Sequence, residues 1–478
     1  MATDAEPGAR DDSKSHISEA EFVETSPQVN KDKPDQEWHD PIVHEFPDGG
    51  FRAWAAVLGA SLCLFVGGVE YSFGVYLTYY SSHFLSDKTV SQISWIGSCA
   101  AFIHSCVGLI TGKLYDDGWF KQIVIVGTVL HVLCFMLLST CKEYWQVWLS
   151  QGLGMGLATG VLYQPALSIV SQYFERRRSF AMGIVMSGAS IGGVLFPIMA
   201  NNLFETVGFG WAIRIQAFIM LGLLIAANLL MTTRLPAHNL KTGVVQFDPR
   251  AVDGVECGPS GRAKAGIHKI NYRHFFSAPF LVSTVGCFFI QLGTGLPYAY
   301  ITSFATTEGH ISADLQFYLL PLTFAGSAIG SPIFAWVADR VGVFNTVIAT
   351  TIVSAGLEAS ILAASTDAVA VVVSVLYGFV ASGYQALVGP IYSSLSDTVL
   401  EIGHRMGAGF FVIGVATLIS SPIQGALLGD SIEEYTWWKP IVFSALSLLA
   451  GCLALAVARG MLIKRRNVTK KILGFANL

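Results

Sequence analysis

Stretches of about 20 predominantly apolar residues recur along the whole chain, each long enough to cross a hydrocarbon core of about 30 Å as a helix. The spacing predicts roughly twelve of them, beginning near Trp54, Gln92, Lys121, Tyr144, Ser179, Trp211, Pro279, Leu315, Phe344, Ala368, Arg405 and Trp438. No other feature restricts the fold as strongly. In lipid every backbone N–H and C=O must find a partner within the structure, so runs of this length are read as helices. The composition agrees: 53% of the 478 residues are hydrophobic and 13% are charged, about half the charge of an ordinary soluble chain. The expected fold class is an all-α membrane protein.

The runs are interrupted in a way that divides the chain. Residues 1–47 are rich in Asp, Glu, Lys, Ser and Pro and read as a disordered acidic tail. This tail holds 12 acidic and 4 basic residues, so the overall net charge of −4 belongs to it and the remainder is net positive. No apolar h-region of a signal peptide opens the sequence. A second polar stretch, 233–276, separates six apolar runs from six more. The expected organisation is therefore a tail over 1–47, a six-helix bundle over 48–232, a linker over 233–276, a second bundle over 277–462 and a basic tail over 463–478.

Lys and Arg in the short loops set the orientation. With the N-terminus inside, inner loops receive Lys113, Lys121, Arg176, Arg177, Arg178, Arg340 and Arg405, whereas the opposite side receives mainly Lys88, Lys142 and Lys439. Both termini are then expected in the cytoplasm, with the plasma membrane as the location. The halves also repeat one another. Asp116 ends Gly-Lys-Leu-Tyr-Asp after the second helix, and Asp339 lies 223 residues later after the eighth; Tyr163-Gln164 returns as Tyr384-Gln385 at an offset of 221. Parallel six-helix repeats joined by a cytoplasmic linker are the pattern of the major facilitator fold.

Within this pattern the chain resembles fungal members of the monocarboxylate porter family of the major facilitator superfamily. The residues that carry the resemblance are DGGFRAW at 48–54, YFERRRSFAMG at 173–183, SGASIGG at 187–193, GFGWAIR at 208–214, VADRVGVFN at 337–345 and SPIQGALL at 421–428. The resemblance implies alternating access, with two halves rocking about a central site lined by helices 1, 4, 7 and 10. It also implies a latch on the cytoplasmic side, formed by Asp116 and Asp339 with Arg178, Arg340 and Arg405. A carboxylate at such a helix end can hold a neighbouring helix N-terminus or an arginine. Ordinary solvated topology charges are the alternative.

Charges inside a membrane cost about 2.5–3.5 kcal/mol each at a helix centre on insertion scales, so each one is a candidate for function. Glu70, beside Tyr71 in helix 1, is the candidate proton carrier, against a structural carboxylate near the outer surface. Glu358 in helix 9 reads more simply as a structural bond to a neighbouring helix, and His104 and His131 as satisfied core residues. The uncharged candidates for substrate binding are Tyr163 and Gln164, Gln291 and Tyr298, and Tyr384 and Gln385. Together they describe aromatic walls with a few hydrogen-bonding groups.

One departure from the family narrows the substrate. Many relatives carry an arginine just before a proline in helix 8, with an aspartate one turn earlier; this chain reads Gly330-Ser331-Pro332, with Ser327 at the aspartate position. Without a guanidinium, bidentate recognition of a carboxylate is lost. The reading is therefore a secondary active transporter of a small organic compound, proton-linked and leaning towards efflux of a fungal secondary metabolite. Uptake or exchange of a monocarboxylate is the alternative, and a non-transporting sensor of the same fold is the rival class. The small-molecule substrate, a co- or counter-transported proton and the bilayer are the expected partners. Neither cofactor nor metal is expected: the chain has no phosphate loop ending in GK[ST], no CxxC among its eight cysteines and no cluster of metal-ligand spacing. Enzyme chemistry and nucleic-acid binding are not expected either, because the basic clusters flank membrane helices and no nucleophile and base pair up.

Overall fold

The computed structural model describes residues 47–233, 277–307, 311–361, 366–396, 402–429 and 436–475. The expectations for the tail over 1–46 and for the linker from 234 to 276 lie outside the described residues. Eleven helical segments are long and apolar enough to span a membrane. One of them, Arg178–Leu230, runs for 53 residues, roughly 80 Å at 1.5 Å per residue and far more than one bilayer requires. It breaks at Gly208, whose φ of 75° and ψ of 164° leave the helical region. Glycine takes this backbone geometry without a Cβ clash. The segment is therefore two crossings, and the twelve expected spans are present.

These are α1 (Phe51–Ser82), α2 (Val90–Asp116), α3 (Phe120–Leu138), α4 (Tyr144–Val170), α5 (178–207), α6 (209–230), α7 (Ala278–Thr307), α8 (Ala313–Val341), α9 (Val343–Ile361), α10 (Asp367–Ser394), α11 (Ile402–Leu428) and α12 (Trp438–Phe475). Each begins within three residues of its expected start. The basic segment after 462 continues α12 as helix rather than starting a separate tail. The lipid-facing sides read directly from exposure: Val442, Leu446, Leu449, Leu453 and Val457 form an exposed apolar stripe on α12, at the spacing of one helix face.

Two seams join the halves, α2 against α11 and α5 against α8. Glycine makes the first possible. A Cβ on Gly112 would lie 2.2 Å from the Gly403 carbonyl oxygen, and one on Gly407 would lie 2.5 Å from that of Gly108, so backbone meets backbone. Along the second, Ser187 Oγ donates to the Ala328 carbonyl at 2.7 Å. These contacts run from mid-membrane to the face where the arginine loop 176–178 and Arg340 lie, called here the basic face. Towards the opposite face the polar and ring contacts tie each half to itself: Tyr76 to Gln216 at 2.9 Å, Tyr80 to Gln151 at 2.7 Å and Tyr300 to the Ser421 carbonyl at 2.8 Å. The molecule is thus held shut at the basic face.

Candidate functional site

Past its middle α1 gives way to a 3-10 turn over Gly68–Ser72. The turn is pressed onto α5, since a Cβ on Gly68 would lie 2.5 Å from the Ala189 carbonyl. Glu70 sits in this turn, and its Oε2 lies 2.9 Å from Nδ1 of His104 on α2. Both side chains keep 19% exposure, while Glu70 Oε1 is buried without a hydrogen-bond partner. An acid and an imidazole at this distance share or exchange a proton without moving a charge far.

Aromatic rings close around the pair. His104 meets the edge of Tyr163 at 4.8 Å, and Tyr163 meets Phe410 of α11 at 5.6 Å. Tyr71 lies 4.3 Å from Phe324 of α8, which in turn lies 5.3 Å from Tyr298 of α7. Tyr71 thus reaches across the seam between the halves and keeps 38% exposure. Each ring pair of this kind contributes about 0.5–1.5 kcal/mol beyond burial, and a flat apolar ligand can take the place of one partner.

The other expected binding residues divide. Tyr298 Oη lies 3.2 Å from Ser327 Oγ and also bonds Gln385, so α7, α8 and α10 converge there. Gln164 is 1% exposed with neither amide atom hydrogen-bonded. Gln291 is partly buried. Tyr384 is 3% exposed and donates to the Cys287 carbonyl at 3.0 Å, which braces α10 on α7 and turns its hydroxyl away from the gap between the halves. Equal places in the repeat do not give equal partners: the Tyr163 hydroxyl reaches Met186 Sδ of α5 at 3.4 Å, whereas that of Tyr384 takes a backbone carbonyl of α7. The sequence did not single out Phe324 and Phe410, since nothing separates two phenylalanines from the 31 in the chain.

At the basic face both aspartates bridge the halves. Asp339, ending α8, accepts from the backbone N–H of Ser179 at 3.0 Å and of Phe180 at 2.9 Å, at the start of α5. Asp116, ending α2, accepts at one oxygen from the backbone N–H of His404 at 3.0 Å and from its Nδ1 at 2.5 Å, at the start of α11. Each carboxylate therefore sits where a helix N-terminus presents free donors and positive dipole. The arginines also contact groups of their own half. Arg178 Nε donates to the Phe174 carbonyl at 3.2 Å in its own loop. The Arg340 guanidinium stacks on Trp336 of its own helix, 3.8 Å from the ring centre. Arg405, 1% exposed, donates to the Leu395 carbonyl. His404 was not among the expected latch residues, and neither was Asp48, which accepts from the backbone N–H of Glu175 at 2.7 Å and of Arg176 at 2.9 Å and so pins the arginine loop.

Helix α7 carries a third polar cluster. Pro297 lacks an N–H and leaves the carbonyl of Gly293 without its helical donor. An unpaired backbone group in hydrocarbon costs several kcal/mol. Ser444 Oγ of α12 meets this need at 2.6 Å, and side chains of two more helices bond the flanking carbonyls: Ser420 Oγ and Gln424 Nε2 of α11 donate to that of Leu292 at 2.8 and 3.0 Å, and Tyr377 of α10 reaches that of Thr294 at 3.0 Å. Behind Tyr377 stands Glu358 of α9, 0% exposed.

Residues 58–408 match the Major Facilitator Superfamily. An "MFS transporter asaE" of Aspergillus flavus is 34% identical over 438 residues, covering 91% of this chain and 92% of that protein. The "Aspyridones efflux protein apdF" of Emericella nidulans is 33% identical over 414 residues, 86% of this chain and 78% of that one, and the "Fujikurins efflux protein" of Gibberella fujikuroi is 32% identical over 422 residues, 88% and 85%. Among solved structures the fucose:proton symporter of E. coli superposes with a TM-score of 0.60 at 15% identity, covering 84% of this chain and 98% of that one.

Proposed function

The chain belongs to the major facilitator superfamily, and from that premise we propose that it exports an aromatic, mostly uncharged fungal metabolite in exchange for protons, with Glu70 and His104 as the proton pair. It is a multi-pass secondary transporter working by alternating access. The observation that carries the finer reading is the arrangement within the membrane spans: an acid and an imidazole 2.9 Å apart, ringed by Tyr71, Phe324, Tyr298, Tyr163 and Phe410. The charges of the pair answer each other. Ring faces and a few hydroxyl and amide groups are what remains for a substrate.

The efflux direction is drawn from the relatives named for aspyridones and fujikurins. The place within the superfamily beside the monocarboxylate porters rests on the DGGFRAW and YFERRRSFAMG segments. A small carboxylate suits this centre poorly. At the position of the helix 8 arginine stands Ser331, 2% exposed, whose hydroxyl donates to the Ser327 carbonyl at 2.9 Å. With the basic face in the cytoplasm, as the loop charges favour, the described conformation is closed inward. Asp116 and Asp339 then act as latches that release when the halves rock.

The test is a substrate panel. Purified protein in liposomes containing a pH dye is offered polyketide-like aromatic compounds and, separately, acetate, lactate and pyruvate. Proton movement with the aromatic compounds alone is the expected result. Efficient movement with the short acids would overturn the substrate class.

A further inference from the structure

The second buried acid, Glu358, sits in an arrangement that counts its own protons. Tyr377 Oη lies 3.0 Å from the Thr294 carbonyl oxygen and 2.9 Å from Glu358 Oε1. A phenol has one proton to give, and a carbonyl can only accept. If Tyr377 donates to Thr294, its bond with Glu358 needs a proton on the acid. If Tyr377 donates to an ionised Glu358 instead, the Thr294 carbonyl loses its side-chain donor in the turn before Pro297. Ser444, the neighbouring hydroxyl, commits its proton to the Gly293 carbonyl at 2.6 Å.

The surroundings favour the neutral acid as well. Glu358 is fully buried, its Oε2 has no hydrogen-bond partner, and no Lys, Arg or His forms an ion pair with it among the described residues. The groups that face it are Tyr377 from α10, Ser444 from α12 and the backbone of α7. The one other titratable side chain near α9 on α12 is Cys452, bonded to the Ile348 carbonyl towards the start of α9. Among the described side chains, Asp339 and Arg340 on α8, Asp367 on α10 and Lys439 on α12 stand at helix ends, and the further basic residues of α12 begin at Arg459, well beyond Ser444 along the helix. A lone carboxylate in such a place is strongly disfavoured.

We propose that Glu358 is a second proton-binding site, separate from the Glu70–His104 pair, whose acid proton runs through Tyr377 to the Thr294 carbonyl and braces α7 in the turn before Pro297. It is a positioning residue. Tyr377 also lies 5.8 Å, edge to ring, from Tyr298, whose hydroxyl reaches Ser327 and Gln385. Losing the proton would free one end of the clasp and loosen α7 where it lines the centre, whatever compound is carried.

Infrared difference spectroscopy on the purified protein reads the proton directly and needs no substrate. A carboxylic-acid C=O band at neutral pH is expected, absent in Glu358→Gln, retained in Glu70→Gln and shifted in Tyr377→Phe. Amide hydrogen exchange over residues 290–300, compared with Glu358→Gln at each pH to cancel the intrinsic dependence, should rise in the wild type on going to alkaline pH. It should rise in Tyr377→Phe already at neutral pH. If Glu358→Gln does not fold, the band shift in Tyr377→Phe still decides the matter. A neutral-pH spectrum without an acid band removed by Glu358→Gln or shifted by Tyr377→Phe would overturn the proposal, as would α7 exchange indifferent to Tyr377→Phe.

Discussion

Helices α1 and α7 open the two halves and hold equivalent places in the repeat, yet each departs from regular helical hydrogen bonding in its own way. In α1 the break is a 3-10 turn, and the acid lies within it: Glu70 keeps 19% exposure and a histidine partner. In α7 it is the missing N–H of Pro297, and the acid stands behind the helix: Glu358 is 0% exposed and reaches α7 through Tyr377. An acid that must load and unload protons needs access to the gap between the halves. One that braces a helix needs only to stay buried and neutral. The duplicated fold has thus put a carboxyl group near each of these helices, one partly exposed and one fully buried.

Four substitutions would break or sharpen this contrast. The largest effect is expected for His104→Leu, which leaves Glu70 unpaired in the centre; proton-driven transport in liposomes should fall by roughly a hundredfold, equal to about 2.7 kcal/mol. Gly112→Leu forces α2 off α11 and should slow turnover about tenfold, or about 1.4 kcal/mol; a stopped-flow transport assay reads it, and an unchanged rate would mean that the seam opens without glycine. Tyr377→Phe strands a buried acid and a carbonyl, and chemical denaturation should reveal a loss of about 1–3 kcal/mol. The smallest change belongs to Arg340→Ala. Its guanidinium rests on Trp336 rather than across the seam, so stability should shift by no more than about 1 kcal/mol and transport should stay near wild type.

Much of the fold was legible because lipid enforces it. Helix starts were readable within three residues, since a span needs a fixed length of apolar chain and short loops carry its punctuation. Gly208 shows where that reading outdoes a count of helices: two spans merge into one 53-residue segment unless its positive φ is seen. The site was less legible. Glu70 stood out because a charge within a membrane span is expensive, but its bond to His104 depends on how α1 and α2 face each other, and His104 alone reads as a core histidine. The aspartates were visible in the repeat. Their partners were not, because backbone N–H groups of α5 and α11 have no side-chain signature. The arginines beside them suggested ion pairs; the hydrogen bonds seen for Arg178 and Arg405 go to backbone carbonyls, and Arg340 stacks on a tryptophan.

The division of labour between the two acids is tested most directly by measuring Glu70→Gln and Glu358→Gln side by side in liposomes, as accumulation driven by a pH gradient and as exchange at equal pH, with a transported aromatic compound. The account predicts that Glu70→Gln keeps exchange and loses accumulation, while Glu358→Gln keeps both within about a factor of two, or about 0.4 kcal/mol. Loss of gradient-driven accumulation in Glu358→Gln with Glu70→Gln unaffected would contradict it.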